Sequence, residues 1–510
     1  MGLVNITLVP FLAVGVVLLA AVYRLFSAAT SPLRNVPGPW YSHVTSIVLK
    51  WHILAGRRVH FVHSLHLRYG PVVLVSPDEV AISDLDAFSQ IHKIGSGFTK
   101  SDWYDKLRSG REPGIFFMRD SHQHAARRRL FARAFSNSSL LTYWEPEIRQ
   151  KTQLAVAKIK NDAQNGSADI MKWWTLMATD VIAHLSFGES FRMLELGKQT
   201  PYIDAIQAAL LCGVVRNELS WFFPIIRRLP FKGIRDIMSA DDVVFEHGAK
   251  AVKNMSSASD GLSTANLFSQ MLAQAQGQEK TEIKDSTVRT EAGNLIVAGS
   301  DTTAVTLTYL VWAVLSQPQL QAALEAEVCG LSPDLTFDEL TSAPLLNSVI
   351  EETLRLYGAA PGALPRVVPG KGLSVRGYFI PPGTVVSTQA YTLHRDSTVF
   401  PDAHRYDDLR SFDVVMYRRC VLTIFRFDGE RFMDKSTLTA AQKTAMSPFG
   451  AGSRICIGLH LAWMELRLAT ALFFRECRGA KLDPGMTDDM MEMDNRFLIA
   501  PKGHCCKIQL

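Results

Sequence analysis

The chain has 510 residues, of which 47% are hydrophobic and 20% are charged, so it can bury a large core. Its net charge of +5 is small for this length, and no basic run with interleaved aromatic residues occurs. These features argue against nucleic acid as a partner. No internal repeat or low-complexity linker follows residue 40, which predicts one large domain over residues 41–510.

The N-terminal residues 3–23 carry no charge and are numerous enough to cross ~30 Å of hydrocarbon. Arg24 and Arg34 follow, and no lysine or arginine precedes. The positive-inside rule then predicts a single-pass anchor with the remaining chain in the cytosol. An ordinary buried helix is the alternative. Residues 24–40, rich in proline towards their end, are expected to form a hinge.

The body of the chain reads as mainly helical with a few short strands. Residues 72–84 alternate and then turn, which predicts strand and turn, and residues 120–330 are mainly helical in pattern. Within them, 171–187 are apolar on nearly every side, as in a core helix. The stretch 219–231 is aromatic and interrupted by proline, and is either a packed loop or a surface that contacts membrane or admits substrate.

The longest helical pattern, 287–317, contains the segment AGSDTT at 298–303. A glycine inside a helix costs roughly 1 kcal/mol relative to alanine, and Ser and Thr compete for backbone hydrogen bonds. Two explanations remain: a solvated kink, or a helix that passes over a bound group, with Gly299 leaving room and Asp301 and Thr302 handling protons.

Residues 337–358 predict a further amphipathic helix with Glu352 and Arg355 on one face. A surface ion pair worth under ~0.5 kcal/mol is the plain interpretation. Residues 361–395 then read as short strands separated by Pro/Gly turns. The fold class predicted from these patterns is mainly α with small β-sheets.

The decapeptide FGAGSRICIG at 449–458 places Cys456 in a glycine-rich loop before a helical run. The seven cysteines are dispersed without a CxxC pair, which indicates free thiols, and a small buried apolar role is the ordinary alternative for each. A protease nucleophile needs a histidine signature, and a zinc site needs three more ligands, and neither is visible nearby. A haem iron needs one protein ligand, and a thiolate can supply it.

These residues resemble the motifs of the cytochrome P450 monooxygenases, in the microsomal form of fungal secondary metabolism. FGAGSRICIG is similar to the haem-binding loop, with Phe449, Gly450, Gly452, Arg454, Cys456 and Gly458 matching. AGSDTT resembles the oxygen-activating helix, and the sequence from Glu352 to Arg355 resembles the family's Glu-x-x-Arg pair. The resemblance implies the cytochrome P450 fold over essentially the whole chain.

The resemblance also implies roles for single residues. Cys456 would be the axial ligand of the iron of haem b, in a loop shaped by Phe449, Gly450 and Gly458. Asp301 and Thr302 would deliver protons during oxygen activation. The haem propionates would be held by four basic residues: Arg128, His124, Arg366 and Arg454. A structural role would fall to Glu352, Arg355 and Arg431.

The implied reaction inserts one oxygen atom from O2 into a lipophilic small molecule, with electrons from NADPH through a separate cytochrome P450 reductase. The resemblance places the protein at the endoplasmic reticulum membrane, with its catalytic domain in the cytosol. Two alternatives stay open: a haem-thiolate isomerase or dehydratase that needs neither O2 nor reductase, and a chain that fails to bind haem.

Residues 406–426 depart from the family pattern, in which a segment like HRDSTVFPDAHR runs directly into FDPERF, whereas here FDGERF begins only at Phe427. A surface insertion is one interpretation, because loops tolerate added length at low entropic cost. We favour an unspliced intron, because codons for these residues can spell splice and branch signals. Removal of 406–426 restores HRFDGERF in frame, and the hypothesis predicts a transcript without those codons.

Overall fold

The computed structural model describes residues 8–108, 112–226, 228, 232–257, 266–279, 283–401 and 427–510. Over these residues the architecture is mainly helical with four small sheets, as the sequence predicts. The helices are α1 Leu8–Thr30, α2 Ile47–Leu54, α3 Arg58–Tyr69, α4 Leu85–His92, α5 Trp103–Leu107, α6 Ser121–Ala132, α7 Asn137–Ser139, α8 Glu145–Gln164, α9 Ile170–Phe187, α10 Met193–Leu196, α11 Pro201–Glu218, α12 Phe223–Ile226, α13 Lys232–Ser257, α14 Leu267–Gln274, α15 Asp285–Leu315, α16 Pro318–Gly330, α17 Phe337–Ser342, α18 Pro344–Tyr357, α19 Ala390–Leu393, α20 Ala440–Ala445 and α21 Leu459–Glu476.

The largest sheet among the described residues has five strands in the order β1-β2-β8-β5-β3, with β2 and β8 parallel and the other pairs antiparallel. The strands are β1 Val72–Ser76, β2 Glu79–Ile82, β3 Thr99–Lys100, β4 Ala168–Asp169, β5 Arg366–Val367, β6 Leu373–Val375, β7 Tyr378–Ile380, β8 Val385–Ser387, β9 Lys481–Leu482, β10 Met493–Asn495, β11 Ile499–Pro501 and β12 Lys507–Gln509. The strand and turn predicted over 72–84 correspond to β1 and β2.

Two long helices form the centre of the core. Helix α9 is buried on nearly every side, begins where the Asp169 side chain accepts a hydrogen bond from the Met171 N–H, and ends at Gly188 with φ +77°. It packs along α15, which also contacts α13, α18 and α21. The helix continues without a break through its polar residues 300–303, of which Ser300 and Thr303 are buried while Asp301 and Thr302 keep partial access.

The helix predicted over 337–358 is two helices, α17 and α18, so this prediction was wrong in one respect. Pro344 disfavours helical backbone at the preceding Ala343, which adopts an extended conformation. Helix α17 is fixed by a capping box between Thr336 and Glu339. The break lets α18 take its own direction into the core, where it buries both Glu352 and Arg355.

Helix α1 continues seven residues beyond the predicted end at Tyr23, so the first part of the expected hinge, 24–30, is helical. Among the described residues, α15 alone meets a length-and-hydropathy criterion for crossing a membrane, and two thirds of its most apolar stretch is buried in the protein. The predicted N-terminal span is therefore not established by this criterion. The described apolar side chains of α1 are nevertheless exposed, including Val14, Leu18, Leu19 and Val22.

The atypical segment 406–426 lies outside the described residues, together with parts of the aromatic stretch 219–231. Its flanks are well anchored. The Arg431 Nη1 donates to the Pro401 carbonyl at 3.1 Å, and Gln317 Nε2 donates to the Phe427 carbonyl at 3.0 Å. The described chain on either side of the segment is therefore connected through the Arg431 side chain.

Candidate functional site

Local hydrogen bonds and glycines fold residues 449–458 into a tight loop. The Cys456 N–H donates to the Phe449 carbonyl at 2.9 Å and closes the loop. Gly450 and Gly452 have φ of +74° and +63°, which favour glycine. A Cβ on Gly452 would stand 1.8 Å from the His92 carbonyl oxygen, so only glycine fits there. Gly458 then leads directly into α21.

The thiol of Cys456 faces a cavity. Its side chain is accessible to a solvent-sized probe, yet surrounding protein desolvates the thiol and raises its pKa. A group that is both accessible and surrounded by protein lies on the wall of a concave site, which we call the cavity. The Gly458 N–H and the Arg128 guanidinium act in the opposite direction, since they stabilise the thiolate and lower the pKa.

Basic side chains from distant parts of the chain gather beside this loop. Arg128 Nη1 donates to the Ile455 carbonyl at 2.7 Å, and Arg454 Nη1 donates to the Met118 carbonyl at 2.8 Å. Burial, then the charges of Arg454, Lys100, Arg128 and Arg366 in turn, lower the pKa of His124 to about 3. The four basic residues predicted to bind propionates are therefore brought together.

Lys100, the fifth member of this basic cluster, was missed by the sequence reasoning. It is only 4% exposed, donates to the Phe116 carbonyl, and its Nζ lies 4.2 Å from the centre of the Tyr104 ring. Burial, followed by the charges of Arg366 and Arg454, holds its pKa well below the usual lysine value. A single lysine in GFTKSDWY carries no periodic signal, so the sequence alone gave no sign of its burial.

No carboxylate within the described part of the chain forms an ion pair with Lys100, Arg128, Arg366 or Arg454. Lys100 and Arg366 are each 4% exposed. Because buried cations are costly unless paired, an anionic group is expected in the space beside them. The basic cluster and the cavity thiol therefore fit a haem: the thiolate suits its iron, and the cations suit its two propionates.

Asp301 and Thr302 lie together on the central helix α15, and both are partly accessible. The Thr302 hydroxyl donates to the Ala298 carbonyl at 2.6 Å, and the Thr306 hydroxyl donates to the Thr302 carbonyl at 2.9 Å. Burial raises the pKa of Asp301 to about 6, so this carboxyl exchanges its proton close to neutral pH. That property suits a group that passes protons.

The structure gives a different reason for a glycine at position 299 from the one predicted. A Cβ at this position would stand 2.7 Å from Cγ1 and 2.9 Å from Cβ of Ile182 in α9. The glycine therefore allows close packing of α15 on α9, and the expectation that it leaves room for a bound group is replaced by this one. The next hydroxyl, Thr303, was also unassigned by sequence: it donates to Glu465 Oε2 at 2.9 Å.

The Glu352–Arg355 pair is fully buried rather than at the surface. Arg355 Nε and Nη2 each donate to a Glu352 oxygen at 2.7 Å, and Arg355 Nη1 donates to the His394 carbonyl at 2.6 Å. Arg431 Nε lies 3.3 Å from the Glu352 carboxylate, and the Asp428 N–H donates to the same carboxylate at 3.1 Å. All three predicted structural residues thus meet at one point.

The family profile of cytochrome P450 matches residues 37–411 and 425–508 and leaves 412–424 between its two segments. The chain therefore belongs to the cytochrome P450 family, whose members are haem-dependent oxidoreductases.

Curated relatives span nearly the full length of the chain. The cytochrome P450 monooxygenase aflV of Aspergillus parasiticus is 41% identical over 98% of this chain and 96% of its own. The monooxygenase stcB of Emericella nidulans is 38% identical over 94% of this chain and 89% of its own. The methylphloroacetophenone oxidase of Cladonia uncialis is 33% identical over 76% of this chain and 88% of its own. The chain is thus an enzyme of the haem-dependent monooxygenase type.

Proposed function

We propose that this enzyme inserts one oxygen atom from O2 into a lipophilic small molecule of fungal secondary metabolism, using electrons from NADPH through a separate reductase. The observation that carries the proposal is the cavity-facing thiol of Cys456 beside a partly buried basic cluster that forms no ion pair with an acid among the described residues. The fungal relatives support the biological setting, and the aromatic ketone in the name of the Cladonia oxidase is compatible with a lipophilic substrate.

The cofactor in this proposal is haem b, which supplies activation of O2 when it is bound with a thiolate ligand. Cys456 provides that thiolate, with Phe449, Gly450 and Gly458 shaping the loop around the sulfur. Five basic residues take the propionates: Lys100, His124, Arg128, Arg366 and Arg454. The charged contacts fix the orientation of the ring, and the glycines allow the backbone to approach the sulfur.

Asp301 and Thr302 have the role of moving protons to the reacting oxygen. The Asp301 carboxyl can both hold and release a proton near neutral pH because burial raises its pKa to about 6. The Thr302 hydroxyl donates a hydrogen bond to the Ala298 carbonyl, and this bond fixes the position of its oxygen on α15 beside Asp301. Glu352, Arg355 and Arg431 act structurally, since their buried network ties α18 to the chain that precedes the cysteine loop.

A bilayer is the proposed environment of the N-terminal helix, with the endoplasmic reticulum as its location. The uncharged segment 3–23 has 21 residues, within the range of about 17–25 that a helix needs to cross a hydrocarbon core of ~30 Å, and α1 covers this segment from Leu8 onward. Further exposed apolar side chains occur on α2, which contacts α11, and just after α11: Ile47, Trp51, Trp221 and Ile225. They would lie on the membrane beside the anchor.

The proposal is tested by expressing the holoenzyme and a Cys456→Ser variant with a fungal reductase. The wild type should show the strongly red-shifted Soret band of reduced, carbon-monoxide-bound haem-thiolate, and its product should require NADPH and O2. The variant should lose both. Product formed without O2 and NADPH would favour an isomerase or dehydratase, and an unchanged spectrum in the variant would refute the assignment of Cys456.

Membrane association has a separate measurement. Deletion of residues 1–30 should move the protein from the membrane pellet towards the soluble fraction at high salt. Combined replacement of Trp51 and Trp221 by serine should release it further. Full retention in the pellet after both changes would contradict the proposed membrane surface.

A further inference from the structure

A loop formed by residues 112–120 connects the central helix to the cysteine loop. The Met118 and Arg119 carbonyls accept hydrogen bonds from Arg454, and the Phe116 carbonyl accepts one from Lys100. Near its other end, the Ile115 N–H donates to Glu291 on α15. This loop therefore links the two elements that carry Asp301 and Cys456.

Glu291 is the deepest anchor of this loop. Its side chain is 0% exposed, and its two oxygens lie 2.9 and 3.1 Å from the Ile115 nitrogen. Arg127 on α6 donates to the same carboxylate at 2.8 Å. One carboxylate thus joins the loop, α6 and α15, about 15 Å along α15 from Asp301.

The loop packs closely against α15, and the Ile115 N–H donates its hydrogen bond to the buried Glu291 carboxylate. A Cβ on Gly114 would stand 1.8 Å from Asn294 Nδ2 and 3.0 Å from Glu291 Oε2, so the loop backbone lies directly against α15. A buried hydrogen bond to a charged acceptor is worth more than a neutral one, and a buried carboxylate without its partners is costly. A second acid, Glu112, also connects the loop to Arg127 and Thr287, but it is about one third exposed.

We propose that Glu291 is a positioning residue that holds residues 112–120 against α15 and thereby sets substrate affinity and the site of oxidation. The inference rests on the proposed monooxygenase function, because it assigns this loop to the wall of the substrate cavity. The carboxylate does not touch the reacting atoms. It acts through the Ile115 backbone, so its loss affects binding and product distribution more than haem ligation.

The test compares four variants of the full-length holoenzyme. Glu291→Gln removes the charge but keeps an acceptor, and Gly114→Ala displaces the loop from its own side. Glu112→Gln removes an acid from the exposed contact with Arg127. Gly370→Ala is the neutral control, since a Cβ there meets open space and its φ is not positive.

Two readouts are combined: hydrogen–deuterium exchange of residues 112–120, and the affinity of 4-phenylimidazole measured by the Soret shift. Exchange at Ile115 should accelerate about tenfold in Glu291→Gln and Gly114→Ala, with weaker probe binding and altered product ratios. Glu112→Gln should change less, and Gly370→Ala should match the wild type.

Unchanged exchange at Ile115 in both Glu291→Gln and Gly114→Ala would overturn the inference. Faster exchange with unchanged probe affinity and product ratios would also overturn it, since Glu291 would then have a structural role only. Absence of the red-shifted carbon monoxide band in the wild type is a separate outcome: it refutes the proposed function itself, whichever variant is compared.

Discussion

Asp301 illustrates how burial adapts a single carboxyl to a chemical task. An exposed aspartate is ionised throughout the neutral range, whereas the raised pKa of Asp301, about 6, leaves a proton available just below neutrality. Because the raised value favours the acid form below about pH 6, proton delivery should weaken as the pH rises above that value.

Asp301→Asn should therefore lower the rate of product formation by roughly 100-fold, the usual scale of general-acid catalysis. The wild type should show an inflection near pH 6 that the variant lacks, in steady-state assays between pH 5 and 8. Asp301→Glu is the control, since it retains a titrating carboxyl. An identical pH profile in Asp301→Asn would contradict the assigned role.

A second prediction at the residue scale concerns the role of Lys100 in holding haem. The Lys100→Met side chain has a similar length but no charge. Haem should therefore be retained less well when the purified variant is passed over a gel-filtration column. We expect haem release to be about tenfold faster, the scale of one lost charge-assisted hydrogen bond. Lys106, an exposed lysine paired with Asp102, provides the control Lys106→Met. Equal release rates would remove Lys100 from the propionate site.

At the scale of elements, α15 and α21 are joined by the bond between Thr303 and Glu465. Glu465 is 1% exposed, one of its oxygens has no hydrogen-bond partner among the described residues, and burial raises its pKa from 4.5 to about 8. The folded protein thus keeps a proton that the unfolded chain releases. The contribution of Glu465 to stability is then fully present below about pH 4.5 and is lost as the pH rises to about 8.

Glu465→Gln should remove this fall. In urea unfolding at several pH values, the free energy of unfolding of the variant should increase relative to that of the wild type as the pH rises. The difference should be on the order of a few kcal/mol at pH 8. Glu476→Gln, on the same helix but exposed and paired with Lys160, should leave the wild-type trend intact. A variant with the same decline as the wild type would assign the pH dependence to other groups.

At the scale of the whole molecule, the segment 406–426 separates two parts that contact each other independently of it. Asp428 and Arg431 contact Glu352, and Arg431 also contacts Pro401. Deletion of 406–426 should therefore preserve or increase the yield of haem-thiolate protein. The same deletion should appear in cDNA from the source organism if the segment is an intron.

A Gly/Ser linker of the same 21-residue length provides the control for that deletion. Similar spectra from the deletion and linker proteins would mean that the residues themselves are dispensable. Loss of the red-shifted band only on deletion, with all message retaining the codons, would mean that the segment belongs to the functional enzyme.

Much of the fold and the cysteine site could be predicted because their signals are local. The spacing of apolar residues along the sequence predicted α9, α15 and α21, and the glycines around Cys456 indicated a tight loop. The break at Pro344 was overlooked because the helical pattern continues through it. Gly299 was misinterpreted since its neighbour, Ile182, lies far away in the sequence.

The sequence alone determined the chemistry of contiguous residues: a thiol in a shaped loop, an acid and hydroxyl on one helix, and an apolar N-terminal segment. Only the tertiary structure decided which distant groups share a buried space, such as Lys100 with Arg366, or Glu291 with the Ile115 amide. The reason is physical: a motif specifies local geometry, whereas burial and the interaction of charges depend on contacts that form when the chain folds.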